Sequence, residues 1–314
     1  MSEIIEVSEQ PNNKGGLAAG ISAYLLWGVL PLYFLILEPA GAVEVVAHRI
    51  IWSLVFCLFL VLITRSFPAL IKIFRNPRLL GLFVIASVLI AINWGTFVGA
   101  VQTHHAADAA LGYFINPIVT ALLAVIVLKE KLIPAQIVAI LLTTAAVIVI
   151  AIEFGRIPWI SLVLAFSFGL YGLVKNRVGP QASAIAGLST ETLILVPIAL
   201  GYLIFLAVTG QSAWGATGEF ASAGWLMVLL ILLGPVTAIP LLLFAAAARR
   251  LPLATIGTLQ YMTPILQLLI AVFLLGEPMP TSRWIGFALV WAGLVIIAVD
   301  GAWRRRKTAR SSKE

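Results

Sequence analysis

Charge is what this sequence has least of. Only 11% of its 314 residues are Asp, Glu, Lys or Arg, and 61% are hydrophobic. A soluble domain carries about 25% charged and 45–50% apolar residues. So few polar side chains cannot coat a water-soluble globule of this length. The shortage excludes a soluble enzyme, a disordered regulator and a nucleic-acid-binding domain. The lipid bilayer is the expected partner and nucleic acid is not. Cysteine is nearly absent as well. Cys57 stands alone, which rules out an intrachain disulfide and a multi-cysteine metal site. Histidine is limited to His48, His104 and His105. The last two are sequence neighbours before Asp108, too few ligands for a metal and better read as a solvated loop. Walker A, H-E-x-x-H and G-x-S-x-G patterns in a suitable context are missing, which argues against ATP-driven work and hydrolysis by this chain. No cofactor is implied.

What the sequence has in abundance is long apolar runs. A helix needs about 20 apolar residues to cross a bilayer core. Ten such segments follow one another: 17–37, 43–64, 79–101, 107–128, 135–152, 158–174, 185–208, 223–248, 253–275 and 282–300. Lone strands would leave backbone groups unpaired in lipid, so these segments are read as helices. The alternation expected of a membrane barrel is missing. The longest connectors, 65–78 and 209–222, span only 14 residues each, so function resides among the helices. Residues 1–16 carry Glu3, Glu6 and Glu9 and no basic n-region. The first span is therefore expected to be retained and not cleaved as a signal peptide.

Charge of one sign is unevenly shared between the two sides. The N-terminal tail, alternate connectors and the C-terminal tail hold 17 Lys and Arg residues, the opposite side holds 2, Arg156 in a connector and Arg283 at the edge of the last span, and Arg49 lies deeper within a span. The positive-inside rule then predicts an inner-membrane protein with both termini in the cytoplasm. The run Trp303-Arg304-Arg305-Arg306-Lys307 reads as a stop-transfer anchor, with anionic lipid as the alternative ligand.

An internal repeat is superimposed on these spans. A shift of 147 residues places Phe97, Ala107, Pro117 and Glu130 on Phe244, Ala254, Pro264 and Glu277. Trp27-Gly28 in the first span is echoed by Tyr171-Gly172 in the sixth. A five-helix unit contains an odd number of spans, so tandem copies must insert in opposite senses. The expected fold is thus an all-α integral membrane protein of ten transmembrane helices in two inverted repeats. Its parts are a cytoplasmic tail at 1–16, a first repeat at 17–152, a second at 153–300 and a basic tail at 301–314. Pro117 and Pro264 are expected to kink the fourth and ninth spans and open space there.

Specific strings then point to a family. They are Ala47-His48-Arg49-Ile50-Ile51-Trp52-Ser53, Asn93-Trp94, Leu111-Gly112-Tyr113-Phe114-Ile115-Asn116-Pro117, Tyr171-Gly172-Leu173-Val174-Lys175, Glu191-Thr192, and Val236 through Pro240 to Gln260-Tyr261. With these, the chain resembles the EamA branch of the drug/metabolite transporter superfamily over nearly its whole length, and within it the RarD group. The resemblance implies export or exchange of a small solute at the inner membrane and leaves the solute open.

Ionisable residues at membrane depth are functional candidates by default, at about 2.5–3.5 kcal/mol each for insertion. Arg49 and Glu191 are the two, each roughly 10 Å into its helix from opposite sides. A direct bridge between them would have to close a depth gap of about 10 Å, and the alternatives are local pairing or snorkelling. Arg49 could instead hold an anionic group of a substrate, and Glu191 a cationic group or a proton. His48, about 100° round the helix from Arg49, is either a proton relay or a packing residue. Asn93, Trp94, Tyr113, Asn116, Gln260 and Tyr261, with Pro117 and Pro264, would line a cavity or glue helices together. Trp27, Trp52 and Tyr171 join the candidates, Trp27 and Trp52 with an interfacial belt as their alternative role. The expected activity is alternating-access transport of a small-molecule substrate. The competing readings are a non-transporting scaffold or sensor and an enzyme acting on lipid. Polar contacts can join helices within one chain or between two, which leaves a homodimer open.

Overall fold

The computed structural model describes residues 13–128, 134–155, 157–178, 181–214, 223–248, 250–251 and 259–311. All regular structure among them is helical. The helices are α1 (Asn13–Ile36), α2 (Ala42–Ile63), the short α3 (Phe67–Phe74), α4 (Pro77–Gln102), α5 (Ala106–Leu128), α6 (Pro134–Phe154), α7 (Trp159–Val178), α8 (Ala184–Thr209), α9 (Ala223–Ala248), α10 (Met262–Leu269) and α11 (Thr281–Ser311). Six are long and apolar enough to cross a membrane: α1, α2, α4, α6, α8 and α9. Shorter apolar helices occupy 159–175, 262–274 and 281–297.

Local signals set the helix ends. Pro77 opens α4, where its missing N–H would be unpaired in any case, and the Asn76 side chain accepts from the Leu79 N–H at 3.2 Å. Ser183 caps α8 through the Ala186 N–H at 3.2 Å, and Gly210 ends it at φ 69, a left-handed turn that favours glycine. The connector 65–78 contains the short α3. Leu70 and Ile73 of α3 are buried while Phe67, Ile71 and Phe74 are exposed. Pro264 also differs from expectation. It lies in the first turn of α10, just after the turn residues Gln260 and Tyr261, so it follows a break rather than bending a continuous span. The ring cannot donate to the preceding turn, which is why the helix restarts there.

Burial is reversed relative to a soluble protein. Leu62, Ile152, Ile198, Val208 and Phe273 are each more than 70% exposed. Apolar surface on that scale requires an apolar surrounding. Glu44, His48, Arg49, Asn93, Asn116, Glu191 and Gln267 are buried in the interior. Around them α2 packs on α8 and α9, α1 on α9 and α10, α4 on α7 and α8, and α5 on α7 and α10, while α6 and α11 pair at the periphery. Glycines allow two close crossings. A Cβ on Gly112 would stand 2.7 Å from the Ser161 carbonyl oxygen on α7, and one on Gly28 would stand 2.7 Å from the Leu266 side chain on α10.

Candidate functional site

Three clusters of interior polar groups stand out. The first is built on Arg49 of α2, which is 5% exposed. Its Nε donates to Thr237 Oγ1 of α9 at 2.9 Å. Its guanidinium lies 4.1 Å from the Trp94 ring centroid and 5.5 Å from that of Phe34. Stacking on aromatic faces suits a delocalised cation. No carboxylate among the described residues forms an ion pair with Arg49.

The second cluster joins α4, α5 and α7. Tyr113 Oη donates to Asn93 Oδ1 at 3.1 Å. Asn93 Nδ2 donates to the Leu164 carbonyl at 3.2 Å and to Ser167 Oγ at 3.1 Å. The buried amide thus uses both of its ends, as a polar group away from water must. The Tyr113 ring meets Phe97 at 5.5 Å and Phe168 at 6.0 Å, and Phe168 continues to Tyr171 at 6.0 Å.

That aromatic row leads to the third cluster. Glu191 of α8 is 1% exposed. It accepts from Lys175 Nζ at 2.7 Å and from Tyr171 Oη at 3.1 Å, both on α7. Ser87 Oγ of α4 reaches the Glu191 carbonyl at 3.2 Å. The Lys175 ammonium also sits 5.3 Å from the Phe83 ring centroid. The bridge between Arg49 and Glu191 therefore does not form. Each is satisfied, or left unsatisfied, by its own neighbours, as the difference in depth implies.

His48 turns away from Arg49. Its ring stacks on Trp214 at 5.0 Å, and Trp52, one turn later on α2, also stacks on Trp214 at 6.1 Å. Glu44, one turn earlier on α2, accepts from Ser212 Oγ at 2.7 Å and from the Ala213 N–H at 3.0 Å, which ties residues 212–214 across the start of α2. A second carboxylate does the same for α5. Glu277 accepts from the Ala106 and Ala107 N–H groups at 2.6 and 2.8 Å, at a helix N-terminus where negative charge is favoured. Arg283 pairs with Asp108 beside it at 3.1 Å. His105 is half-buried with its Nδ1 2.6 Å from the Thr103 carbonyl, and no group of three metal-ligating side chains occurs among the described residues.

Other sequence candidates take separate positions. Trp27 packs edge-on to Tyr24 at 5.5 Å and beside Phe244 at 5.8 Å, and its carbonyl accepts from Gln267 at 3.2 Å. Asn116 is buried, with Thr120 Oγ1 3.4 Å from its Oδ1. Pro117 lies within α5, and Gln260 and Tyr261 are half-buried in the turn before α10. Two open hollows occur, about 580 Å³ along α3 at Phe67, Ile71 and Lys72, and about 420 Å³ between Ala135 and Val299. Neither is lined by a candidate residue. Thr237, Ser167, Phe34, Lys175 and Trp214 are participants that residue type alone did not single out. A lone hydroxyl in a 26-residue apolar helix was the available signal for Thr237.

The sequence model of the EamA-like transporter family matches residues 14–152 and again residues 157–299. The chain belongs to the EamA-like transporter family. It is 45% identical over 300 residues to Protein RarD of Streptomyces exfoliatus, covering 96% of this chain and 92% of that one. It is 41% identical over 302 residues to the uncharacterized transporter YojE of Bacillus subtilis, covering 95% and 98%. A protein crystal structure superposes with a TM-score of 0.59 at 18% identity over 92% of this chain and 99% of the other, a likeness of fold. The family makes the chain a multi-span membrane transporter of the drug/metabolite kind. The three buried clusters bring polar groups of α2, α4, α5, α7, α8 and α9 together in a largely apolar interior.

Proposed function

We propose that the chain is a secondary carrier that moves a small solute across the bacterial inner membrane by alternating access, in the direction of export. In this reading ten spans form two inverted five-helix repeats at 17–152 and 153–300, both termini are cytoplasmic, and the solute binds between the halves. The helix pairing supports it. Exchanging α1, α2, α4, α5 and α6 for α7, α8, α9, α10 and α11 turns the α1–α9 contact into α7–α4, α1–α10 into α7–α5 and α2–α9 into α8–α4. It returns α2–α8, α5–α10 and α6–α11 to themselves, and every one of these pairings is present. Two like halves can rock between two states of similar energy, and a solute biases them through its differential affinity.

The observation that carries the reading is the burial of Arg49 and Glu191 on α2 and α8, helices that occupy equivalent places in the two halves. A scaffold has no need of such groups at membrane depth. The test replaces Cys57 by serine and introduces single cysteines by Asn116→Cys and Gln260→Cys. A membrane-impermeant maleimide is applied to right-side-out and inverted vesicles. Each cysteine is expected to label from both sides. Labelling of folded protein from one side only, or from neither, would overturn the reading in favour of a static scaffold.

A further inference from the structure

Arg49 is a buried cation without an anion. Among the described residues its contacts are one hydrogen bond from Nε to Thr237 and the faces of Trp94 and Phe34. Among the described residues neither Nη group, four N–H donors of the fork, has a hydrogen-bond partner. Rings offset part of the charge but cannot accept the in-plane N–H bonds. Glu191 shows what full compensation looks like in this same interior: a Lys175 ammonium, a Tyr171 hydroxyl and burial to 1%. The nearest acidic side chain on α2 is Glu44, and it is spent on Ser212 and Ala213.

We propose that Arg49 is the anchor of the solute site, and that it takes the carboxylate of an organic monoanion whose apolar body rests on Trp94 and Phe34. The proposal deepens the carrier reading and rests on it. A planar fork with two free edges matches a bidentate carboxylate. One cation sets the charge at one. A phosphate monoester carries nearly two negative charges and would need a second free cation, yet Lys175 is already held by Glu191 at 2.7 Å. Thr237 places a hydroxyl against the guanidinium, and aromatic walls favour a branched or aromatic acid over a small hydrophilic one. Thr237 belongs to α9 and Trp94 to α4, so the anion would be gripped by both halves, where binding can feel their relative movement.

The test is thermal unfolding of the purified full chain in detergent at fixed pH and ionic strength. The probes are phenylacetate, 4-methylpentanoate and indole-3-acetate, each with its primary amide, and phenyl phosphate. At about 10 mM probe and a dissociation constant near 1 mM, the acids are expected to raise Tm by about 2–4 °C. The amides and the phosphate are expected to raise it less than 1 °C. Arg49→Gln should abolish the acid shift, and Arg49→Lys, which keeps the charge but loses the fork, should weaken the affinity at least tenfold. No acid shift in wild type, an equal shift with the amides or the phosphate, or a shift retained in Arg49→Gln would overturn the proposal. Should Arg49→Gln fail to fold, the lysine variant decides: unchanged affinity there overturns it. Two-sided cysteine labelling without any acid shift would leave the carrier and remove the anion site. Acid binding through Arg49 with one-sided labelling would leave a binding protein that does not transport.

Discussion

Arg49 of α2 and Glu191 of α8 are both almost completely buried and have opposite surroundings. Glu191 meets a lysine ammonium and a tyrosine hydroxyl. Arg49 meets one threonine and two rings. Two buried ionisable groups are costly in the same way, so the difference separates their purposes. The carboxylate has been neutralised by the protein itself and holds α7 to α8. The guanidinium has been left open, which is how a site built for an external charge differs from a structural bridge.

Substitutions can break or sharpen this contrast. The largest effect is expected at the compensated site. Lys175→Met strands the Glu191 carboxylate and should destabilise the protein by about 2–3 kcal/mol, below the usual 3–5 because Lys175 is partly exposed. Adding Glu191→Leu should recover most of that loss, which thermal unfolding of the single and double variants checks. Asn93→Leu comes next. It strands the Tyr113 hydroxyl and should cost about 1–2 kcal/mol. Gly112→Ala and Gly28→Ala should each cost about 1 kcal/mol or more, the first because its Cβ meets the Ser161 carbonyl and the second because it meets the Leu266 Cβ at 2.9 Å, which no side-chain rotation moves. The smallest effect is expected at the open site. Arg49→Leu should leave Tm unchanged or slightly raised, since an uncompensated charge is removed. A fall in stability as large as that of Lys175→Met would show that Arg49 is structural and would erase the contrast.

The apolar segments, their order and the helix-end signals at Asn76–Pro77 and Ser183 were legible because they depend on neighbours in the sequence. So was the status of Arg49 and Glu191 as unusual residues, since an ionisable group in an apolar run is conspicuous by itself. Their partners were not legible. Lys175 reads as a connector cation until α7 is seen beside α8. Trp214 falls in a polar connector, and nothing nearby announces that it will stack on His48. The role of Glu277 as the acceptor for the first N–H groups of α5 required a contact 171 residues away. The helix break before Pro264 was half legible: proline foretells an interruption, but not whether the chain bends or restarts.

Composition alone determined that this protein lives in lipid, that it is helical, and which connectors carry the basic residues, because partition into a bilayer is decided by runs of about 20 residues read locally. Which polar groups face one another was decided only by tertiary structure. Arg49 and Thr237 are 188 residues apart in sequence, and their 2.9 Å contact depends on the rotation and crossing of two helices. A local pattern cannot specify that, since apolar side chains surround each helix on every side and leave its orientation to packing.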